Sequence, residues 1–386
     1  MKHRIYFSVC GEGYGHSSRD MAIAMMLSGA GASVLMGSYG YVLLRLKENF
    51  NSVEVEREFE MVGKGGAFDL KATIFKSKKT PLLFSKIISD EKKAIEDFNA
   101  TCVVADGRSA AVISALKLGI PCVIISNQTS IEPFFRDSNF VLKLIGKPVD
   151  ITLKTLTALA ENTLIPDFPP PNTVCINTLS NNRHIMKKQI FVGPVVSDNF
   201  RNPGKSVEID GPFVLTLLGG HSYRLPIFNG ILKIADRFPD MKFLIFTKFK
   251  SENAPENVII SEFAEDISAY MHSAQMIITQ AGHSTAMEIL TIGKPSLIIP
   301  DKGQIEQESN AARMRELGVC QTLDYSSMSP ASLFEKIDML LKDGNYRDKA
   351  AKFSEMAKQM NGTKRAADII IELSERIQRY GVENDP

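Results

Sequence analysis

The chain has 386 residues, 44% hydrophobic and 23% charged, with a formal net charge of +1. That length suffices for two domains, the composition is that of an ordinary globular protein, and the small net charge argues against bulk nucleic acid as a partner. The five cysteines (Cys10, Cys102, Cys122, Cys175, Cys320) form no C-x-x-C pair, so neither a zinc cluster nor a disulfide framework is expected, and reduced thiols fit a cytoplasmic protein.

At the start, Met1-Lys2-His3-Arg4 leads into a short apolar run, and no signal peptide is read there. No apolar stretch approaches the roughly 20 residues of a spanning helix. Residues 4–10 read as a strand, followed by the glycine-led turn Gly11-Glu12-Gly13-Tyr14-Gly15-His16 and a helix over 16–27. A strand over 32–36, a helix over 41–46 and a short strand over 53–55 come next. The segment 75–84 mixes phenylalanine and leucine with three lysines. It reads either as a helix start with a solvated basic flank or as a loop that meets a membrane surface. Residues 101–105 form a β-branched run ending at Asp106-Gly107, then come a helix over 109–118 and a buried strand over 121–125. The proline-rich turn Pro166-Asp167-Phe168-Pro169-Pro170-Pro171 precedes an expected last strand of this half, 173–176, and a further apolar run covers 190–196.

The polar stretch 197–211 is read as a linker. Beyond it the alternation repeats. Strands are expected over 212–218, 241–246, 257–260, 276–279 and 294–299, with helices over 226–238, 265–273, 284–291 and 306–317, and helical patterns from 329 to about 380. The second glycine-led turn, Gly282-His283-Ser284-Thr285, follows the strand 276–279 and opens a helix containing Glu288. The expected fold class is α/β, with two doubly wound, mainly parallel domains facing across a cleft. Their limits are 1–196 and 212–362, and a last helix, 363–386, packs back on the first domain.

The second half resembles the C-terminal domain of family 28 glycosyltransferases. The residues that carry the likeness are Phe263-Ala264-Glu265-Asp266-Ile267, Ile278-Thr279-Gln280-Ala281-Gly282-His283-Ser284-Thr285-Ala286-Met287-Glu288, Gly293-Lys294-Pro295-Ser296-Leu297-Ile298-Ile299-Pro300 and Gln304-Ile305-Glu306-Gln307-Glu308-Ser309-Asn310-Ala311. The loop ending in His16 and the turn Gly219-Gly220-His221-Ser222 agree in order and rough spacing. The resemblance implies the glycosyltransferase B fold, a nucleotide-sugar donor (UDP favoured) on the C-terminal domain and an acceptor on the N-terminal one. It also implies donor binding without a bridging metal, and the sequence contains no Asp-x-Asp motif.

Local chemistry is consistent with that. N–H groups and the dipole at the Gly282–Thr285 helix start suit a diphosphate, with Ser284 and Thr285 adding hydroxyls. Gly219, Gly220, Ser222 and Phe263 complete the expected nucleotide set with His283. Glu288 is expected on the ribose hydroxyls, the role the family gives a glutamate there; the alternative is a solvated helix face. Gln304, Gln307 and Glu308 are expected to read the donor sugar, or else are ordinary helix-start residues. In the first half, His16 is the candidate base for the acceptor hydroxyl and Asp106 its orienting carboxylate. Their alternatives are a loop-shaping residue and a helix N-cap. Gly13, Gly15, Asn127 and Gln128 are expected beside the acceptor, with Glu12 and Arg19 ranked behind them.

The expected activity is thus inverting, metal-independent and cofactor-free sugar transfer to a lipid, glycan or small-molecule hydroxyl. The setting is the cytoplasm, with peripheral contact at the inner face of the plasma membrane through 75–84. The alternatives are a nucleotide-sugar 2-epimerase and a non-catalytic nucleotide-sugar-binding subunit. A dehydrogenase fits poorly, because the third glycine of the first turn comes one position early for G-x-G-x-x-G.

Overall fold

The computed structural model describes residues 3–58, 63–64, 67–68, 80–132, 140–204, 207, 209–264 and 266–382. Within the first half run β1 (Arg4–Val9), α1 (Tyr14–Gly29), β2 (Ser33–Ser38), α2 (Gly40–Lys47), β3 (Ser52–Glu54), the small hairpin β4 (Gly63–Lys64) and β5 (Ala67–Phe68), α3 (Thr80–Asp97), β6 (Cys102–Asp106), α4 (Ser109–Leu118), β7 (Cys122–Ile125), α5 (Phe140–Leu159), β8 (Asn162–Ile165), α6 (Arg183–Met186) and β9 (Gln189–Phe191). The second half contributes β10 (Phe213–Gly219), α7 (Leu225–Leu232), β11 (Lys242–Thr247), β12 (Val258–Ser261), α8 (Ile267–Ser273), β13 (Met276–Thr279), α9 (His283–Ile292), β14 (Ser296–Ile298), α10 (Ile305–Glu316), β15 (Cys320–Thr322), α11 (Pro330–Lys342), α12 (Gly344–Met360) and α13 (Gly362–Val382).

Two compact units result. One takes the described residues within Met1–Val62, Asp69–Ser197 and Met360–Pro386, the other those within Gly63–Phe68 and Asp198–Gln359. The first holds a seven-stranded sheet in the order β3-β2-β1-β6-β7-β8-β9, the second a six-stranded sheet in the order β12-β11-β10-β13-β14-β15. Every pairing in both is parallel. Helices must therefore cover both faces, which is why the central strands read as unbroken apolar runs: Ile5, Tyr6, Phe7 and Val9 are all fully buried.

The strand order decides where ligands can sit. In the first sheet the chain winds outward from β1 through β2 to β3, then returns to β6 on the other side of β1. The β1/β6 seam is thus a topological switch point, where the loops leaving the carboxyl ends of neighbouring strands diverge and leave a crevice. Register puts Val9 opposite Asp106, so the turn before α1 and the turn before α4 leave the sheet side by side. The second sheet repeats the device at β10/β13, where the turns after Gly219 and Thr279 part. Each glycine-led turn therefore lies at the switch point of its own sheet.

The first unit's core joins Ile5, Phe7, Leu27, Met36 and Val104 to Ala366, Ala367, Ile370 and Leu373 of α13, which packs along α1. Val214, Ile227, Phe228, Ile278, Leu297 and Leu333 anchor the core of the second.

One expected strand is not there. Residues 173–175 form no strand, and Ile176–Thr178 is a 3-10 turn. Val174 and Cys175 are fully buried, which explains why they read as a strand. Their N–H groups are met instead by the Asp167 carboxylate (3.0 and 2.8 Å), which also accepts from the N–H of Phe168 at 2.7 Å. A buried side chain thus does the work of a ladder. Of the segment 75–84, residues 75–79 lie outside the described residues; α3 begins at Thr80, and Leu83 is 52% exposed. Among the described residues no helix is long and apolar enough to cross a membrane.

Candidate active site

The turn after β1 must be glycine-rich for steric reasons. A Cβ at Gly11 would lie 2.4 Å from the Tyr39 ring, and Gly13 sits at φ +97° as the N-cap of α1. The N–H of Gly13 donates to the Tyr41 hydroxyl at 2.5 Å, and Gly15 is the second residue of the helix. His16, Arg19 and Asp20 then fall on one face of α1, three and four residues apart.

That face meets the end of β6. His16 Nδ1 lies 2.7 Å from Asp106 Oδ1. Arg19 donates to both Asp106 oxygens, Nε to Oδ2 and Nη2 to Oδ1, each at 2.6 Å, and its Nη1 donates to Asn127 Oδ1 at 3.1 Å. Arg19 is 4% exposed and Asp106 1%, while the His16 side chain is 31% exposed. The turn after β6 needs glycine at 107: it has φ +67°, and a Cβ there would stand 2.9 Å from Cys10 Cβ. Burial pushes the Asp106 carboxyl up, but the Arg19 guanidinium and then His16 outweigh it and hold the group below the ordinary carboxylate range. Asp106 is therefore an anion that faces Nδ1 of His16, with Arg19 Nη2 3.1 Å from the same nitrogen; the neutral tautomer that donates from Nδ1 to Asp106 leaves Nε2 with a lone pair. An imidazole so oriented can take a proton from a hydroxyl.

Asn127 is buried beyond Arg19, and its carbonyl accepts from Thr178 Oγ1 at 2.8 Å. Gln128 is half-buried in the same turn, with its N–H donating to Ser126 Oγ at 3.0 Å. Glu12 faces Arg57 at 3.7 Å.

In the second unit, Gly282 is the N-cap of α9, and His283, Ser284 and Thr285 form its first turn. The N–H groups of a first helical turn lack intrahelical partners and carry the positive end of the dipole. His283 is buried, and its N–H donates to Glu306 Oε1 at 3.4 Å. Ala281 takes φ +57°, a left-handed conformation, and its carbonyl accepts from Asn310 Nδ2 at 3.2 Å. Glu288 is half-buried on the same helix face as Ser284, four residues on. Gly219, at φ +61°, ends β10, and Gly220, where a Cβ would stand 2.8 Å from the Lys248 side chain, follows it in the turn. Ser222 opens the 3-10 turn Ser222–Arg224, and Phe263 is 79% exposed.

The sugar-reading candidates sit on α10 and its approach. Gln304 is the helix N-cap. Gln307 Oε1 accepts from the N–H of Asp301 (2.8 Å) and its Nε2 donates to Asp301 Oδ2 (3.2 Å), while Glu308 Oε1 accepts from the N–H of Gly303 (2.9 Å). These two side chains thus shape the loop that leads into α10.

Sequence reading missed Asp301 and Arg224. The guanidinium Nε donates to Asp301 Oδ1 at 3.0 Å and Nη2 to Oδ2 at 2.5 Å, tying the turn after β10 to the loop after β14. Pro300-Asp301 read as a strand end, and nothing in the spacing links it to a residue 77 positions earlier.

The model of the glycosyltransferase family 28 C-terminal domain matches residues 239–370, and that of glycosyl transferase family 1 matches residues 3–190. An uncharacterized glycosyltransferase of Methanosarcina mazei is 34% identical over 380 residues, covering 95% of this chain and 97% of that one. The UDP-N-acetylglucosamine–N-acetylmuramyl-(pentapeptide) pyrophosphoryl-undecaprenol N-acetylglucosamine transferase 2 of Bacillus thuringiensis is 25% identical over 283 residues, 69% of this chain and 71% of that one. Among solved structures, the glycotransferase of kitacinnamycin superposes with a TM-score of 0.72 at 16% identity, over 97% of this chain and 99% of that one. MurG of Acinetobacter baumannii gives 0.67 at 18% identity, over 96% and 99%. The chain belongs to the glycosyltransferases of the family 28 type and has their two-domain glycosyltransferase B fold.

Proposed function

We propose that the protein transfers a sugar, with inversion, from a nucleoside diphosphate sugar to an acceptor hydroxyl. The observation that carries this reading is the partly exposed His16 held against the buried Asp106–Arg19 pair, an arrangement that favours the tautomer with Nε2 free to act as a base. In the step proposed, the acceptor hydroxyl gives its proton to His16 Nε2 as its oxygen bonds to the anomeric carbon. The bond from that carbon to the diphosphate oxygen breaks, and the diphosphate leaves with the electron pair. Inversion follows from attack opposite the leaving group.

The reading assigns acceptor binding to residues 1–196, with Gly13, Gly15, Asn127 and Gln128 around the hydroxyl, and donor binding to residues 212–362. Phosphates are met by the start of α9 with Ser284 and Thr285, and by the turn from Gly219 to Ser222. Glu288 accepts from the ribose hydroxyls, while Gln304 and the loop braced by Gln307 and Glu308 face the sugar. The leaving diphosphate is thereby stabilised by protein dipoles, with neither a bridging metal nor a further cofactor in the step. UDP is the favoured carrier and a lipid-linked hydroxyl the favoured acceptor, on the strength of the Bacillus relative's printed substrates. Contact with a membrane surface through 75–84 would bring such an acceptor within reach.

A thermal-shift panel of UDP, GDP, dTDP and their sugar conjugates, with and without EDTA, tests the donor half. Stabilisation by one nucleoside diphosphate, unchanged by EDTA, is the expected result, because a ligand that binds only the native state raises its melting temperature. No shift with any of them removes the donor assignment, and a shift abolished by EDTA removes metal independence.

A further inference from the structure

Beneath the His16–Asp106 contact lies a carboxyl group that the proposed step does not use. Asp20 stands four residues after His16 on α1 and has no solvent exposure. Among the described residues no donor reaches either of its oxygens. The charged groups that face it are Asp106, at the end of β6, and Arg19, on its own helix. Arg19 directs three of its nitrogens elsewhere, two to Asp106 and one to Asn127. Two carboxyl groups thus share one buried place, and the guanidinium beside them donates to both oxygens of Asp106.

A buried carboxylate without donors is costly, and such a group takes a proton instead. We propose that Asp20 works in this site as a carboxylic acid that donates its hydrogen bond to Asp106. Asp20 is then a positioning residue, and the role rests on His16 being the base. The hydrogen bond from Asp20 and the ion pair with Arg19 both make Asp106 a weaker proton acceptor. When His16 takes the acceptor's proton, that proton stays on the imidazole and is not drawn through the ring to Asp106. Arg19 offsets the charge of Asp106, and a protonated Asp20 adds no second negative charge beside it. Burial, and then the charge of Asp106, push the Asp20 carboxyl well above its ordinary value, in keeping with this assignment.

Three measurements on the intact protein test the proposal, none requiring turnover. The infrared carbonyl band of a protonated carboxyl should be present at neutral pH and vanish in Asp20→Asn; its absence from the unsubstituted protein overturns the proposal. The second is stability against pH. A proton held by the folded state but released by the unfolded chain makes stability fall as pH rises above the unfolded value, about 3.9. Asp20→Asn, which cannot ionise, should therefore melt higher than the unsubstituted protein at pH 7, with the gain shrinking as pH falls below about 4. A lower melting temperature at pH 7, with the deficit disappearing as pH falls below about 4, would mean an ionised, stabilising Asp20 and overturn the proposal. The third is the titration of His16 followed by NMR. Asp20→Val should move its midpoint upward, by roughly half a pH unit or more, because Asp106 loses a donor; Asp20→Asn, which still donates, should restore it. Equal midpoints in all three proteins would leave Asp20 a packing residue. These outcomes are separable from the failure of the base assignment, which would appear as near-normal turnover in His16→Ala.

Discussion

The turns at the two switch points share a plan and differ in what fills them. Around the turn after β1, charge is buried: Arg19 and Asp106 lie almost entirely out of water, and a partly exposed imidazole is held against them. Around the turn after β13, the first helical turn offers hydroxyls and N–H groups; Glu288 on the same helix and Glu306, which accepts from the N–H of His283, are half-buried. A site that moves a proton needs titrating groups whose states are set by burial and by one another. One that grips a phosphate needs fixed dipoles that do not change state. The difference predicts that substitutions at the first turn act on the rate and on stability, and at the second on donor affinity.

The largest effect expected is on rate. His16→Ala should lower kcat by about 10²–10⁴-fold, the usual contribution of a positioned general base, with donor KM kept. A change in donor KM alone would break the division between the turns. Arg19→Ala should destabilise the fold by about 3–5 kcal/mol, because it leaves the Asp106 charge buried without its cation. Denaturant unfolding at pH 7 measures this, and a loss under about 1 kcal/mol would mean the pair is not buried as described. The same pair has a pH signature. Asp106 is held below its unfolded value, so its contribution is present above about pH 4 and is lost as pH falls through the folded value. Acid unfolding of the Arg19→Ala protein should accordingly begin at higher pH than that of the unsubstituted chain.

Glu288→Ala should raise donor KM by about 10–100-fold, the range for losing hydrogen bonds to a charged acceptor, and leave acceptor KM unchanged. Unaltered donor kinetics would remove Glu288 from the site. The smallest effect concerns the surface. Replacing Leu83 and Phe84 by serine should weaken binding to anionic vesicles severalfold in sedimentation, through lost apolar insertion. Equal binding would make this end of α3 an ordinary solvated helix.

Regions whose function depends on local order were the most legible in the sequence. Both glycine-led turns, the strands before them and the helices after them read directly, because a strand–glycine–helix unit is coded within some twenty residues. His16 and Asp106 could be named as partners because each ends a strand–turn signal. Arg19 was read as a secondary candidate beside the acceptor but could not be given its partner: only the β1/β6 adjacency turns it onto Asp106. Asp20 was invisible for the same reason. The failed strand at 173–176 shows a different limit, since burial alone made Val174 and Cys175 look like sheet residues while the Asp167 carboxylate supplied their acceptors. The strands β8 and β15 went unread because polar residues interrupt them, Asn162 and Thr163 in one and Gln321 and Thr322 in the other, so no apolar run marks them.

The most direct test of the account measures steady-state kinetics of His16→Ala and Glu288→Ala side by side, with donor and acceptor each varied. A crossed result is expected: the histidine variant loses kcat at unchanged donor KM, and the glutamate variant loses donor affinity with kcat largely kept. If both variants shift the same parameter, or the histidine variant turns over near normally, the assignment of proton transfer to the first turn and donor binding to the second is contradicted.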